Sequence, residues 1–353
     1  MIYQVAALKK FTKEIMVKAG LSHEESEIFA DSIISAEMRG VTSHGLTRLS
    51  TYARRVEEGL VANHTEPEII SDGGSVLLID GKNTMGAYAG TKTMELCIER
   101  AKEHGTAFAT VCNGNHFGCA SYFTSIAARN DMIGFAVANG PGAIPPTGGT
   151  KALLGTNPVS ISIPAGKYKP LILDMATSAV ARGKVAFAKK NGNSVPLGWG
   201  LDSKGHPTTD PSDILDGGSM LPMGGAKGYG IALIVEILSS CLSGALNGQT
   251  MGSFYDFTRT QNSGYAFGAI DIGKIVNIDM FKENVDSLFD SMKECPKAEG
   301  ITSIKIPGEI ENEKETASKN AGIELSAAIE FELKNAASHF GVEFPKSEKE
   351  MFV

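Results

Sequence analysis

Among the five cysteines of this 353-residue chain, Cys97, Cys112, Cys119, Cys241 and Cys295, there is no C-x-x-C pair. An odd, scattered set is no disulfide framework, so reduced thiols and a cytoplasmic setting are expected. There is no basic excess either. With 33 Lys and Arg against 40 Asp and Glu, the net charge is -7 and the pI near 5.6, which leaves no positive field to attract nucleic acid or an anionic membrane. No apolar run reaches membrane-spanning length, and the most apolar one, Gly230 to Cys241, is cut by Glu236. Met1 to Lys18 is interrupted by Lys9, Lys10, Lys13 and Glu14, which a signal-peptide core does not tolerate. The easiest catalytic fingerprints are missing as well: G-x-G-x-x-G, G-x-x-x-x-G-K-[ST], G-x-S-x-G and H-E-x-x-H do not occur. Their absence removes the common dinucleotide site, the phosphate loop, the serine elbow and the zincin motif. His116 and Cys119 have no second pair at zinc spacing, so no metal is expected. What is left has 42% apolar and 21% charged residues, a globular composition for which a small-molecule ligand is the default.

Read in order, the chain opens with helical periodicity. Val5, Leu8, Phe11, Ile15 and Ala19 end at Gly20; Ser22 and Glu25 form a capping box for a second helix to Gly40; a third is expected from Ser43 or His44 to Gly59. From Ser75 strands and helices alternate: Ser75 to Asp80, Ala87 to His104, Ala107 to Cys112, Ala120 to Asn130 and Met132 to Asn139. Such alternation predicts an α/β core. Val159 to Ile163 and Pro170 to Met175 read as further strands, and Trp199 to Gly205 as a hairpin, in a mixed region with antiparallel pairing. Gly228 to Leu242 is apolar on nearly every side and predicts a helix buried in the core. Helices return at Phe281 to Met292 and Ser326 to Phe340, while Cys295 to Glu315 reads as an exposed linker. The expected division is an N-terminal helical segment (1–75), a mixed α/β body (76–274) and C-terminal helices packing beside the N-terminal ones (275–353).

Two polar constellations stand out. Val111-Cys-Asn-Gly-Asn-His116-Phe-Gly-Cys119 delivers a histidine between a buried strand and a helix, where open α/β sheets hold their ligands. Ser43-His44-Gly-Leu-Thr-Arg48-Leu-Ser-Thr-Tyr52 places His44, Arg48 and Tyr52 four residues apart, on one side of a helix. Arg48 is a natural fork for a planar carboxylate. Either histidine can exchange a proton near neutral pH, and the pattern does not choose between them. Ser43 either caps the helix or meets a ligand. Lys227, in Gly224-Gly-Ala-Lys-Gly-Tyr-Gly, offers an anion a cation at a helix start. Asp174 ends a strand, where it either touches a ligand or caps a turn.

Six segments in order, Arg39-Gly-Val-Thr-Ser-His-Gly-Leu-Thr-Arg48, Asn115-His-Phe-Gly118, Leu154-Gly-Thr-Asn-Pro158, Asp174-Met-Ala-Thr177, Lys227-Gly-Tyr-Gly230 and Ile306-Pro-Gly-Glu309, resemble the type-2 malate/L-lactate dehydrogenase family. That family also holds L-sulfolactate, ureidoglycolate and related 2-oxo acid or cyclic imine oxidoreductases. The resemblance implies a non-Rossmann nicotinamide-binding fold, which joins the α/β class, mixed sheet and helical layer from both termini read from the elements above. It also implies a homodimer and NAD, with NADP an open alternative. By matching positions it implies proton transfer at His116, with His44, Ser43, Arg48 and Tyr52 around the substrate. Cofactor contacts are implied at Gly140, Asp174, Met175, Ala176, Lys227, Phe267, Gly268 and Ala269. The Gly140-Pro-Gly-Ala143 loop and the stretch before Met220 depart from many relatives, which leaves the substrate and the NAD/NADP choice open.

The expected activity is hydride transfer between NAD(P) and C2 of a small L-2-hydroxy acid of the malate or lactate type. Ureidoglycolate, sulfolactate or a cyclic imine acid on the same site is the alternative. Two rivals from other classes are a non-catalytic metabolite binder using Arg48 and Lys227, and a metal-dependent lyase using His116 and Cys119. Arg259 is a candidate second cation for a malate-type substrate.

Overall fold

The computed structural model describes residues 1–347. Strand β1 (Ile2–Tyr3) leads into helix α1 (Val5–Ala19), which buries Leu8, Phe11, Ile15 and Ala19 as their spacing requires. Gly20 stops it at φ 125°, a backbone that L side chains rarely adopt, with its N–H on the Met16 and Val17 carbonyls. Helix α2 (His23–Met38) starts on the capping box: Glu25 N–H donates to Ser22 Oγ at 3.2 Å and Ser22 N–H to Glu25 Oε2 at 2.8 Å.

The third helix starts later than its polar stripe implies. Thr42–His44 and Leu46–Arg48 are two 3₁₀ turns, and helix α3 runs only Leu49–Glu57. The joint is Gly45, where a Cβ would lie 2.0 Å from Glu37 Oε2. That buried carboxylate accepts the Leu46 N–H at 2.8 Å and so caps the second turn from a neighbouring helix. Gly45→Ala is expected to cost about 1–3 kcal/mol of stability, because Glu37 is buried and cannot retreat without losing this bond. A urea melt checks it, and an unchanged midpoint would remove the argument for close approach.

Strands β2 (Glu68–Asp72) and β3 (Val76–Asp80) precede helix α4 (Gly86–His104), strand β4 (Thr106–Gly114), helix α5 (Ala120–Arg129) and strands β5 (Met132–Ala138), β6 (Val159–Ile163) and β7 (Leu171–Met175). Helix α6 (Arg182–Lys190), strands β8 (Gly200–Leu201) and β9 (Pro207–Thr208), helix α7 (Pro211–Leu215) and strand β10 (Ser219–Met220) form a small lobe with a three-stranded sheet and its own core around Val185, Val195 and Ile214. Helix α8 (Ala226–Glu236) continues into a π-helical turn, Ile237–Cys241, and strand β11 (Ser263–Asp271) rejoins the main sheet. Among the described residues that sheet has seven strands in the order β2-β3-β4-β11-β5-β6-β7. Strand β3 pairs with β4 in parallel, and β11 lies antiparallel between β4 and β5. The mixed α/β sheet expected from the sequence is therefore present. Its centre is a strand from far down the chain, and β2, within the stretch read as helical (1–75), supplies one edge.

Two expectations are corrected. The apolar run from Gly228 to Leu242 is not buried all round: Ile234 is 58% and Leu242 53% exposed, with Ile231 and Ile237 beside them. Hydrophobicity without periodicity does not say what covers a face, and one face of α8 has no cover among the described residues. The stretch from Cys295 to Glu315 is not a linker throughout, because after helix α9 (Ile278–Glu294) helix α10 (Glu309–Ala321) begins inside it. Its polar sequence hid it. Arg39, the C-cap of α2, holds it through Glu315 at 3.0 Å and Asn312 at 2.8 Å. Strand β12 (Ile323–Glu324) pairs antiparallel with β1, and helix α11 (Ala327–Phe340) packs on α1 and α3. Leu325 and Leu333 share one core with Leu8, Phe11, Phe29 and Leu49, so both chain ends build the helical layer. No helix among the described residues is long and apolar enough to cross a membrane.

Candidate active site

Strand β4 ends at Gly114, and the next residues turn over the start of α4. Asn115 Nδ2 donates to the Asn83 and Thr84 carbonyls at 2.9 and 3.0 Å. Gly86 lies so close beneath that a Cβ would come within 2.4 Å of the Asn115 and His116 carbonyl oxygens. His116 N–H donates to Gln261 Oε1 at 2.9 Å, and its Nδ1 is hydrogen-bonded to the Tyr52 hydroxyl. The ring stacks on His44 with centroids 5.7 Å apart and planes 16° apart, and meets Phe254 at 4.8 Å.

The 3₁₀ turns before α3 bring the second constellation to the same place. Ser43 Oγ lies 3.0 Å from His44 Nδ1, and Arg48 Nε donates to the Ser43 carbonyl at 2.7 Å. Tyr255 sits 5.4 Å from the Arg48 guanidinium. Ser43, His44 and Arg48 line a cavity of about 450 Å³ together with Gly118–Ser121, Asp174–Ala176 and Pro307–Gly308. His116 stands against His44 rather than on the wall itself. Asp174 Oδ2 accepts the Ser121 N–H at 2.9 Å, so this carboxylate caps the first turn of α5 from strand β7 while facing the cavity.

Arg48 is half-buried and has no carboxylate partner among the described residues. A cation withdrawn from water without a counter-charge is costly, and an anionic ligand offsets that cost. Burial pushes His44 down to about 4, with the Arg48 charge adding to the effect. Burial also holds His116 well below its ordinary value, with His44, Arg48 and Arg55 acting the same way. Burial raises the Tyr52 hydroxyl, so it stays protonated and can give or take a hydrogen bond at Nδ1. Both imidazoles are neutral at pH 7.

This has a consequence for acid stability. Between pH 6.5 and about 4 the unfolded chain binds a proton at His44 that the folded chain refuses, so stability falls as pH drops through that window. For His44 alone the loss approaches about 3 kcal/mol at the acid end, at 1.36 kcal/mol per pKa unit. Thermal melts from pH 7.5 to 4.5 should show the loss, and His44→Asn should reduce its slope, leaving the share that His116 contributes. An equal slope in both proteins would contradict the assignment.

A malate/L-lactate dehydrogenase family model matches residues 3–334. The chain belongs to the malate/L-lactate dehydrogenase family. It is 37% identical over 330 residues to the malate/(S)-sulfolactate dehydrogenase of Methanothermus fervidus, covering 94% of this chain and 95% of that one. The solved sulfolactate dehydrogenase of Methanocaldococcus jannaschii superposes with a TM-score of 0.91 at 35% identity, over 98% of both chains. The malate dehydrogenase of Entamoeba histolytica gives a TM-score of 0.94 at 29% identity, over 98% of this chain and 99% of that one. As a member of the malate/L-lactate dehydrogenase family the protein is an NAD(P)-dependent 2-hydroxy acid dehydrogenase, and relatives named for NADP(+) and for NAD(+) both occur.

The other residues named from the sequence do not line the cavity. Phe267, Gly268 and Ala269 lie inside β11, paired on both sides; Phe267 and Ala269 are part of the sheet core, so no ligand reaches them without opening the sheet. Lys227 is exposed in the first turn of α8, behind Gly224 and Gly225 at φ 58° and 66°. Gly140 gives its N–H to Asn157 Oδ1 at 3.2 Å and packs beside Thr156 of the wall without lining the cavity itself. Arg259 is held by Asp256 at 3.1 Å and by the Thr250 and Met251 carbonyls. The sequence reading missed Phe254, Tyr255 and Gln261, which contact His116 and Arg48. Their signal was an aromatic-rich irregular loop, Phe254-Tyr-Asp-Phe257, between Gly-containing turns.

Proposed function

We propose that the protein oxidises and reduces small L-2-hydroxy and 2-oxo acids of the malate type, with Arg48 binding the C1 carboxylate and His116 exchanging the hydroxyl proton. The observation that carries this reading is the unpaired, half-buried Arg48 on a cavity wall beside two neutral, stacked imidazoles. The small wall residues Ala120, Ala176, Ala181, Gly183 and Gly308 leave a shallow surface that fits a nicotinamide ring. When bound, that group supplies the hydride acceptor or donor. The chain's own work is to fix and protonate the acid. Arg48 holds the carboxylate with its remaining N–H groups, since Nε is committed to Ser43. His116 takes the hydroxyl proton during oxidation and returns it during reduction, while Tyr52 serves Nδ1 in either tautomer. Ser43 orients His44, which lies between His116 and the cavity.

A second reading makes His44 the acid/base, because it lines the cavity and His116 does not. Comparing His44→Gln with His116→Gln separates them. NAD is favoured over NADP by the carboxylates of Asp174 and Glu311 on the wall, which suit ribose hydroxyls and repel a 2′-phosphate. An assay of oxaloacetate, sulfopyruvate, pyruvate and oxalurate with NADH and with NADPH tests substrate and cofactor together. Turnover of none of them would remove the proposal.

We further infer a cytoplasmic homodimer. The free state of all five cysteines supports the compartment, and the exposed apolar face of α8, Ile231, Ile234, Ile237 and Leu242, supports the self-association. Light scattering should give about twice the chain mass of 37.3 kDa, and Ile234→Glu with Ile237→Glu should bring it to the monomer. A monomeric wild-type protein would contradict the inference.

A further inference from the structure

Arg55 is a buried guanidinium, 1% exposed, with no carboxylate within salt-bridge distance among the described residues. Its Nη1 donates to the carbonyls of Phe254 at 3.3 Å and Asp256 at 2.6 Å, and its Nη2 to the carbonyl of Arg259 at 3.3 Å. Its Nε is buried without a hydrogen-bond partner among the described residues. This is an expensive way to fill space, since an apolar side chain of similar length would bury the same volume without desolvating a charge. The cost becomes intelligible from what the three carbonyls belong to.

Residues 251–261 have no helix or strand of their own, and few backbone bonds hold them internally: the Gly252 N–H donates to the Gln261 carbonyl and the Asp256 N–H to the Ser253 carbonyl, each at 3.1 Å. Yet this segment contacts most of the proposed machinery. Phe254 packs on Tyr52 at 4.7 Å and on the His116 ring at 4.8 Å, Tyr255 lies beside Arg48, and Gln261 accepts the His116 N–H. The His116 ring is therefore in contact with both His44 and Phe254. Helix α3 carries Tyr52 and, one turn later, Arg55, so a single rigid element orients the imidazole from one side and grips the loop that packs on it. The neighbouring Arg54 adds a contact over the Phe257 ring at 3.9 Å.

We propose that Arg55 is the positioning residue for the proton-exchanging imidazole, gathering the carbonyls of Phe254, Asp256 and Arg259 so that an otherwise irregular loop becomes a fixed wall. This rests on the reading of His116 as the acid/base. The same buried charge opposes protonation of the ring. The titratable and charged groups facing His116 are His44 and Arg48 from the 3₁₀ turns and Tyr52 and Arg55 from α3. The loop's own charges, Asp256 and Arg259, are paired with each other, and the buried Tyr265 from β11 is neutral.

The test compares wild type, Arg55→Lys, Arg55→Met and His116→Gln in NAD(P)-linked oxidation of the best substrate across pH. Arg55→Met keeps length and removes both charge and donors. It is expected to lower kcat by about 10- to 100-fold, the scale of a misplacement near 1 Å, with the cofactor KM unchanged and the acid-limb midpoint of kcat/KM moved up toward 6.5. Arg55→Lys keeps the charge and can reach one or two carbonyls, so its midpoint should stay at the wild-type value and its kcat should lie between the other two. Should Arg55→Met fail to fold, as judged by circular dichroism, the lysine variant decides alone: a midpoint shifted upward despite the retained charge, or a wild-type kcat despite the lost fork, overturns the proposal. A folded Arg55→Met with wild-type kcat and midpoint overturns it too. If His116→Gln retains wild-type turnover, the reading of His116 has failed and not merely the role of Arg55.

Discussion

His116→Gln is expected to lower kcat by about 10²–10⁴-fold, the contribution of a positioned acid/base, while leaving substrate KM within a few-fold because Arg48 still holds the carboxylate. Glutamine keeps the approximate size and a hydrogen bond to Tyr52 and removes the basic ring nitrogen that takes up and releases the proton. The pH profile supplies the sign. Burial and the charges of Arg48 and Arg55 hold the free-enzyme imidazole below 6.5, so it is already the base at neutral pH. The wild-type kcat/KM for oxidation should therefore stay flat from pH 8 down through 6.5 and fall only in more acid solution. Reduction needs the protonated ring, and a bound carboxylate beside Arg48 favours it by cancelling the opposing charge. Stopped-flow and steady-state rates of the variant in both directions check this. Near-normal turnover would move the proton transfer to His44.

Arg48→Gln should have the second large effect, a loss of about 2–5 kcal/mol in kcat/KM, roughly 30- to several-thousand-fold, typical of removing one partner of a desolvated ion pair. Most of it should appear as a raised substrate KM. Because the Arg48 charge also lowers both histidines, the same substitution should move the acid limb upward. Arg48→Lys should recover only part of the loss, since an ammonium cannot reproduce the planar fork. Measuring KM for oxaloacetate and for NADH separately distinguishes these effects. An unchanged oxaloacetate KM would mean that the carboxylate is bound elsewhere.

Much of the architecture is legible in the amino-acid sequence. The α1 stripe, its Gly20 stop and the Ser22–Glu25 box are local features, each resting on groups within one or two helical turns. The two polar constellations were likewise legible as residue types. Their convergence was not, because 64 residues separate Tyr52 from His116. The third helix was overextended because a spacing of four fits both a helix and a pair of 3₁₀ turns. The deciding group, Glu37, sits on another element. The burial of Gly228 to Leu242 was misread because apolarity names a face in need of cover and not what covers it.

By itself the sequence determined the local elements, the absence of the common nucleotide fingerprint, and a histidine–arginine–tyrosine set suited to proton exchange and carboxylate binding. Only the tertiary structure decided that β11 is inserted between β4 and β5, so that Phe267, Gly268 and Ala269 support the sheet from inside. The same long-range packing laid residues 254–261 on His116 under the grip of Arg55. The physical reason is range: caps, turns and periodicity depend on neighbours along the chain. Strand order and the desolvation of a charge depend on which distant segments exclude water together, and no local pattern encodes that.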